Sequence, residues 1–167
     1  MLAARGDWAT RDQLIGLLWP ELDDEAARRN LRKVLFRARR QSWFEGLETR
    51  TNALHWRVDS DVRDFDTAST QQDWARATAA YGTTFCNGFE HKAAEPFIEW
   101  LRFERNRLAA AYREAVAQRL AQLSDDARAR ESLARQCLAF DPLDEDALAA
   151  WLKRCTGRDG RATRGGR

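Results

Sequence analysis

Cysteine, histidine and long apolar runs are what this sequence has least of. Its three cysteines, Cys86, Cys137 and Cys155, are scattered and odd in number, so neither a disulfide framework nor the paired spacing of a zinc site can be built from them. A reducing cytoplasm is the compartment that fits such usage. His55 and His91 stand alone, without a metal-partner spacing, and each reads as structural or solvent-facing. The longest apolar runs are only a few residues, too short to cross a bilayer. The opening MLAARGDWATRDQ reaches its charges without the apolar stretch of a signal peptide. The patterns G-x-x-x-x-G-K-[ST], G-x-G-x-x-G and G-x-S-x-G are absent, which removes the glycine turns that cradle phosphates or present a nucleophile. The acids of DPLDEDAL sit at a helix start, where carboxylates cap and pair, and they have no partner suggesting acid–base work. No enzyme activity and no cofactor are expected.

What the chain does contain is a core. Of its 167 residues 44% are hydrophobic, and seven tryptophans and eight phenylalanines are far more than a disordered chain carries. That is enough for one large domain or two small ones. The formal net charge of +2 conceals an uneven distribution. Residues 28–57 hold nine Lys/Arg against two acids, residues 66–152 hold ten against fourteen, and residues 153–167 hold six against one. One strongly basic segment in an otherwise balanced chain points to a polyanion footprint confined to that segment.

Local patterns then place the elements. In ATRDQLIGLLWP, Thr10 and Gln13 form a capping box, Leu14, Ile15, Leu17 and Leu18 supply a buried face, and Trp19-Pro20 ends the helix. After a short turn, Asp23 or Asp24 caps a second helix running to about Gln41. Its apolar stripe is Ala27, Leu31, Val34, Leu35 and Ala38. At about 100° per residue, Arg29, Lys33, Phe36 and Arg40 project to the opposite side, flanked by Arg32 and Arg37. Leu54, Trp56 and Val58 alternate with His55 and Arg57, a strand pattern whose partner is residues 47–50 with Thr51-Asn52 at the turn. Helix, turn, basic helix and hairpin is the order of a winged helix-turn-helix, with Arg50 and Arg57 flanking the wing.

After DSDVRDFD the pattern changes and stays helical. Trp74, Ala77 and Tyr81 mark a short helix, and GTTFCNG is a turn-rich patch. Glu95-Pro96 opens a long helix to about Leu123, roughly 42 Å at 1.5 Å per residue. Asp125 or Asp126 caps another helix that buries Leu133, Cys137 and Leu138. Asp141-Pro142 leads to a last one bearing Ala147, Leu148, Trp151 and Leu152. Paired antiparallel helices of this kind suggest tetratricopeptide-like packing with a degenerate repeat. The Gly/Arg-rich end reads as disordered.

Several strings together resemble one known family. LWPELDDEAARRNLRKVLFRARR resembles the recognition region of the Streptomyces antibiotic regulatory proteins and their bacterial relatives. DVRDFD, AYGTTFCNGF, FIEWLRFERNRL and LARQCLAFDPLDEDAL resemble the bacterial transcriptional activator domain that follows it. The similarity covers roughly residues 2–155. It implies a winged helix of the response-regulator type, a tetratricopeptide-like second domain, and activation through contacts with DNA and RNA polymerase. Family members begin with a small β-sheet and a full first helix, of which residues 2–4 correspond to the last part. They also continue past the DPL-x-E helix with a further helix pair, so the chain reads as short at both ends.

The expectation is therefore a mainly α protein. Residues 1–60 are a partial winged helix-turn-helix with a short hairpin wing, strands confined to about residues 46–59 and the N-terminal sheet missing. Residues 61–155 are a bacterial transcriptional activator-like helical domain, and residues 156–167 a disordered basic tail. The expected DNA contacts are Arg28, Arg29, Arg32, Lys33, Phe36, Arg37 and Arg40 on the basic helix, with Arg50 and Arg57 at the wing, mostly to phosphate and in a minority to bases. Double-stranded DNA is the expected partner, with RNA polymerase and a second copy of the chain as partners of the helical domain, and no membrane. Each contact has a plainer reading. An arginine-rich helix is commonly a solvated face, although here acidic partners that would relieve its self-repulsion stand only at the N-terminal end. Phe36 either touches a thymine methyl or packs on another part of the protein, and Arg50 and Arg57 equally serve strand solubility. The rival function is a protein-interaction module that has lost DNA binding through truncation; a weaker one is non-specific nucleic-acid binding by the Gly/Arg tail.

Overall fold

The computed structural model describes residues 2–90, 93–140 and 149. The described residues are mainly helical, with a small antiparallel sheet. In chain order the elements are α1 (Leu2–Arg5), β1 (Ala9–Thr10), α2 (Arg11–Leu18), α3 (Asp24–Ala38), β2 (Leu47–Thr49), β3 (Ala53–Trp56), α4 (Asp61–Thr70), α5 (Trp74–Ala80), α6 (Glu95–Gln122) and α7 (Ala127–Phe140). The helix expected around residues 147–152 and the tail 156–167 lie outside the described residues, as do His91 and Cys155. No helix among the described residues is long and apolar enough to cross a membrane.

Side-chain caps set most of the helix starts. The backbone N–H of Gln13 donates to the Thr10 hydroxyl at 3.1 Å, and that of Thr10 to the Gln13 amide oxygen at 2.9 Å, a complete capping box. Asp23 accepts from the Ala26 N–H at 2.8 Å and starts α3. That helix ends at Ala38, with turn hydrogen bonds carrying the chain on to Gln41, so its last turn is shorter than expected. Ser60 caps α4 over DVRDFD, a segment for which no separate helix was expected. Pro96 sits in the first turn of α6, where its missing N–H has no intrahelical partner to lose. Asp126 accepts from the N–H groups of Arg128 and Ala129 at the start of α7.

The sheet corrects the expectation that strands are confined to residues 46–59. Its order is β1-β3-β2, with Ala9 opposite Leu54 and Thr10 opposite Ala53 on one side of β3, and Leu47 opposite Trp56 on the other. Both edges of β3 are thereby paired, which makes it the central strand, with β1 and β2 on the outside. Gly46 makes the hairpin's approach feasible. Its φ of +75° is left-handed, and a Cβ there would lie 2.4 Å from the Arg57 carbonyl oxygen.

Two clusters of buried side chains result. The first contains Ala9, Leu14, Ile15, Ala27, Leu31, Leu35 and Leu54. Leu18 and Val34, both expected inside, are 38% and 46% exposed. Val34 lies 100° back from Leu35 on the helix wheel, on the flank of the stripe rather than under the partner helix. The second cluster is larger and aromatic. Phe65 meets Tyr81 at a tilt, 5.6 Å between ring centroids, and Tyr81 stacks on Tyr112 at 4.4 Å, packed with Leu108, Val116, Leu133 and Cys137. Arg107 ties α6 to α4, donating to both Asp66 carboxylate oxygens at 3.0 and 3.2 Å and to buried Glu104 at 2.9 Å. The bond to Asp66 raises the Arg107 pKa further above its ordinary value. The two clusters share a seam, because Leu2 of α1 packs on the first and Ala4 on the second, and α6 also touches α2.

Candidate nucleic-acid interface

The buried stripe of α3 orients everything else on that helix. With Ala27, Leu31 and Leu35 inside, the helical period sends Arg29, Lys33 and Phe36 outward and Arg32 and Arg37 to either flank, while Arg40, expected on the helix, lies in the turn that follows Ala38. All six are exposed. Among the described residues none of Arg29, Arg32, Lys33, Arg37 and Arg40 forms an ion pair. Their charge therefore faces solvent unneutralised, while Asp24 and Glu25 sit at the other end of the helix, where its dipole favours anions. Phe36, 63% exposed, stands in the middle of these cations, with the Arg40 guanidinium carbon 5.6 Å from its ring centroid.

The other three expected contacts are engaged within the fold. Arg28 reaches Asp12 at 3.4 Å and Asp24 at 3.6 Å, tying α3 to α2. Arg57 pairs with Glu48 at 2.6 Å, and Arg50 lays its guanidinium 4.0 Å over the Trp8 ring. The two wing arginines do not flank one tip. Arg50 belongs to the turn, whose N–H donates to the Ala53 carbonyl at 2.9 Å, whereas the Arg57 N–H donates to the Gly46 carbonyl at the hairpin's base.

That turn is docked on the start of α2. The Arg11 N–H donates to the Asn52 carbonyl at 2.9 Å and the Asn52 amide reaches Asp12 at 3.4 Å. His55 locks the hairpin from behind. Its Nε2 lies 3.0 Å from the Gly6 carbonyl, which can only accept, so the proton resides on Nε2. Its ring rests 5.4 Å from that of Trp8. Hydrogen bonds thus join the hairpin turn to the α2 N-terminus, and Arg28 joins α3 to the same Asp12.

Two cations escaped the sequence reading. Arg39 is exposed at the C-cap of α3; its position on the wheel, beside Leu35, hid it among the flank residues. Arg11 opens α2 next to the hairpin turn, and nothing local marks that neighbourhood, which long-range pairing creates. An aromatic cluster was also missed. Trp43, 66% exposed, meets Phe44 and Trp56, and the Trp56 indole N–H donates to the Glu45 carbonyl at 2.7 Å.

The helical half offers a different kind of feature. A cavity of about 180 Å³ lies among Val62, Phe65, Tyr81, Phe85, Cys86 and Leu108. Burial pushes the Cys86 thiol and the Tyr81 phenol above their ordinary pKa values. Arg105 clamps the loop beside the cavity, donating to the Phe85 and Cys86 carbonyls at 2.8 Å each and pairing with Glu90.

No protein-family model, curated protein or solved structure matches the chain.

Proposed function

We propose that the chain is a DNA-binding transcription regulator, with α3 as the recognition helix of a winged helix-turn-helix and the helical half as a tetratricopeptide-like interaction domain. The observation that carries the reading is the outward face of α3. Five cations, Arg29, Arg32, Lys33 and Arg37 on the helix and Arg40 in the turn after it, are displayed there without acidic partners among the described residues, and the other side of the helix is buried. A face of that length and sign matches the major groove, where an α-helix fits between two phosphate walls. The element order α2, turn, α3 and hairpin supports the same reading, and so does the resemblance of residues 18–40 to the recognition region of the Streptomyces antibiotic regulatory proteins. Of the nine sequence candidates, Arg28, Arg50 and Arg57 take the lesser part because their charges are already engaged. The exposed Phe89 and Phe103 of the helical half favour a protein contact there, with RNA polymerase or a second copy of the chain. In this reading the protein works in the cytoplasm.

Salt dependence is the test. If five cations each displace a counterion, log K for duplex DNA falls against log salt with a slope of about −4 to −5, at about −0.9 per contact. Replacing Arg29, Lys33 and Arg37 together by alanine is expected to flatten the slope by about 3. Affinity that barely responds to salt, or that survives the triple replacement, rules the reading out and leaves the interaction module.

A further inference from the structure

Phe36 is the large apolar side chain in the middle of the outward cationic face of α3, and a phosphate cannot use it. Its neighbours, at i−7, i−4, i−3 and i+4, are Arg29, Arg32, Lys33 and Arg40. A single exposed apolar side chain is ordinary on a protein surface. A phenylalanine ringed by unpaired cations is a more specific object. It does not suit a greasy protein pocket, since seating it there would strip water from several guanidinium groups without supplying counter-charge. The complementary surface is one with an apolar spot at the floor of an anionic groove. In duplex DNA that spot is the 5-methyl group of thymine, presented in the major groove between phosphate walls. RNA lacks it twice over, because uracil has no methyl and the A-form major groove is too narrow for side chains.

We infer that Phe36 is a specificity-determining residue of α3 that reads the 5-methyl group of a pyrimidine, thymine in ordinary DNA, with its ring held in place by the Arg40 guanidinium 5.6 Å away. The inference rests on the DNA reading and adds to it which base feature is recognised. Charge alone is blind to sequence; the methyl contact supplies a preference. Burying one methyl-sized group against the ring is expected to change affinity about fourfold, from roughly 0.8 kcal/mol per buried carbon.

The test uses the full chain and a duplex selected by it from a random-sequence pool. Each thymine of the selected site is replaced in turn by deoxyuridine, which removes only the methyl. One replacement is expected to weaken binding about fourfold, and 5-methylcytosine placed at that position in a C·G pair is expected to recover part of the loss relative to cytosine. The Phe36→Ala chain is expected to bind the thymine site about fourfold more weakly and to be indifferent to the deoxyuridine exchange at that position. Because Phe36 is largely exposed, its removal leaves no core cavity, and circular dichroism checks that helix content is retained. Sequence-selective binding in which no methyl removal matters overturns the inference, and so does a methyl effect that persists undiminished in Phe36→Ala; both leave the DNA reading standing. Absence of any salt-dependent duplex binding overturns both.

Discussion

The first core and the second are closed by different means. Around Leu14, Leu31 and Leu54 the packing is aliphatic, and a sheet of three very short strands and two helices covers it. Around Phe65, Tyr81 and Tyr112 it is aromatic, and the 28-residue α6 runs its length. The polar arrangements differ in the same sense. The helical half spends Arg105 and Arg107 on internal carbonyls and carboxylates, whereas the first half leaves four cations of α3, and Arg40 just beyond it, facing water. A segment that binds a polyanion has to keep its charges unpaired, and the unpaired charges repel one another. Caps and strand pairing add to what its aliphatic core supplies, and the first half is expected to open more readily than the second.

Truncating each core puts that comparison to its severest test. Phe65→Ala is expected to cost about 4 kcal/mol and Leu54→Ala about 3 kcal/mol, both sites being almost fully buried. Hydrogen exchange after Leu54→Ala should accelerate more over residues 9–56 than over residues 95–140. Equal acceleration in both segments would show that the seam through α1 and α6 makes the two cores unfold as one.

A smaller effect is expected from the ion cluster of the helical half. Arg107→Ala removes the cation facing Glu104, whose side chain is 8% exposed, and should cost about 2 kcal/mol because a nearly buried carboxylate loses its donor. Adding Glu104→Gln should restore part of that in urea denaturation. A double variant no more stable than Arg107→Ala would assign the loss to packing of the arginine stem instead.

The smallest effect belongs to the first half's own device. Thr10→Ala breaks the capping box of α2 and is expected to cost about 1 kcal/mol, felt mainly in residues 9–56. A loss shared by the whole chain would again argue for a single cooperative unit.

Reading the sequence beforehand succeeded where the signal is local. The Thr10–Gln13 cap, a cap at Asp23 or Asp24 (Asp23 in the fold), the proline-led start of α6 and the strand through Leu54 and Trp56 each concern residues a few positions apart, and each appears in the fold. The outward placement of Arg29, Lys33 and Phe36 was legible for the same reason, since one buried stripe fixes the opposite face of a helix. Val34 and Leu18 were misjudged because exposure at the flank of a stripe depends on how far the neighbouring helix extends.

Local chemistry by itself thus determined where the helices start, which helix is basic and which of its faces is wet. The tertiary structure alone decided that Ala9 and Thr10 are a strand, since two residues have no periodicity and acquire one only by pairing with Leu54 and Ala53. It also decided which cations remain free. Arg28 and Arg57 look no different in sequence from Arg29 and Arg37, but Asp12 and Glu48 come within reach of the first two only once α2 and the hairpin are in place. Whether a charge is neutralised depends on distances of a few ångströms across the fold, and those are set by packing rather than by position along the chain.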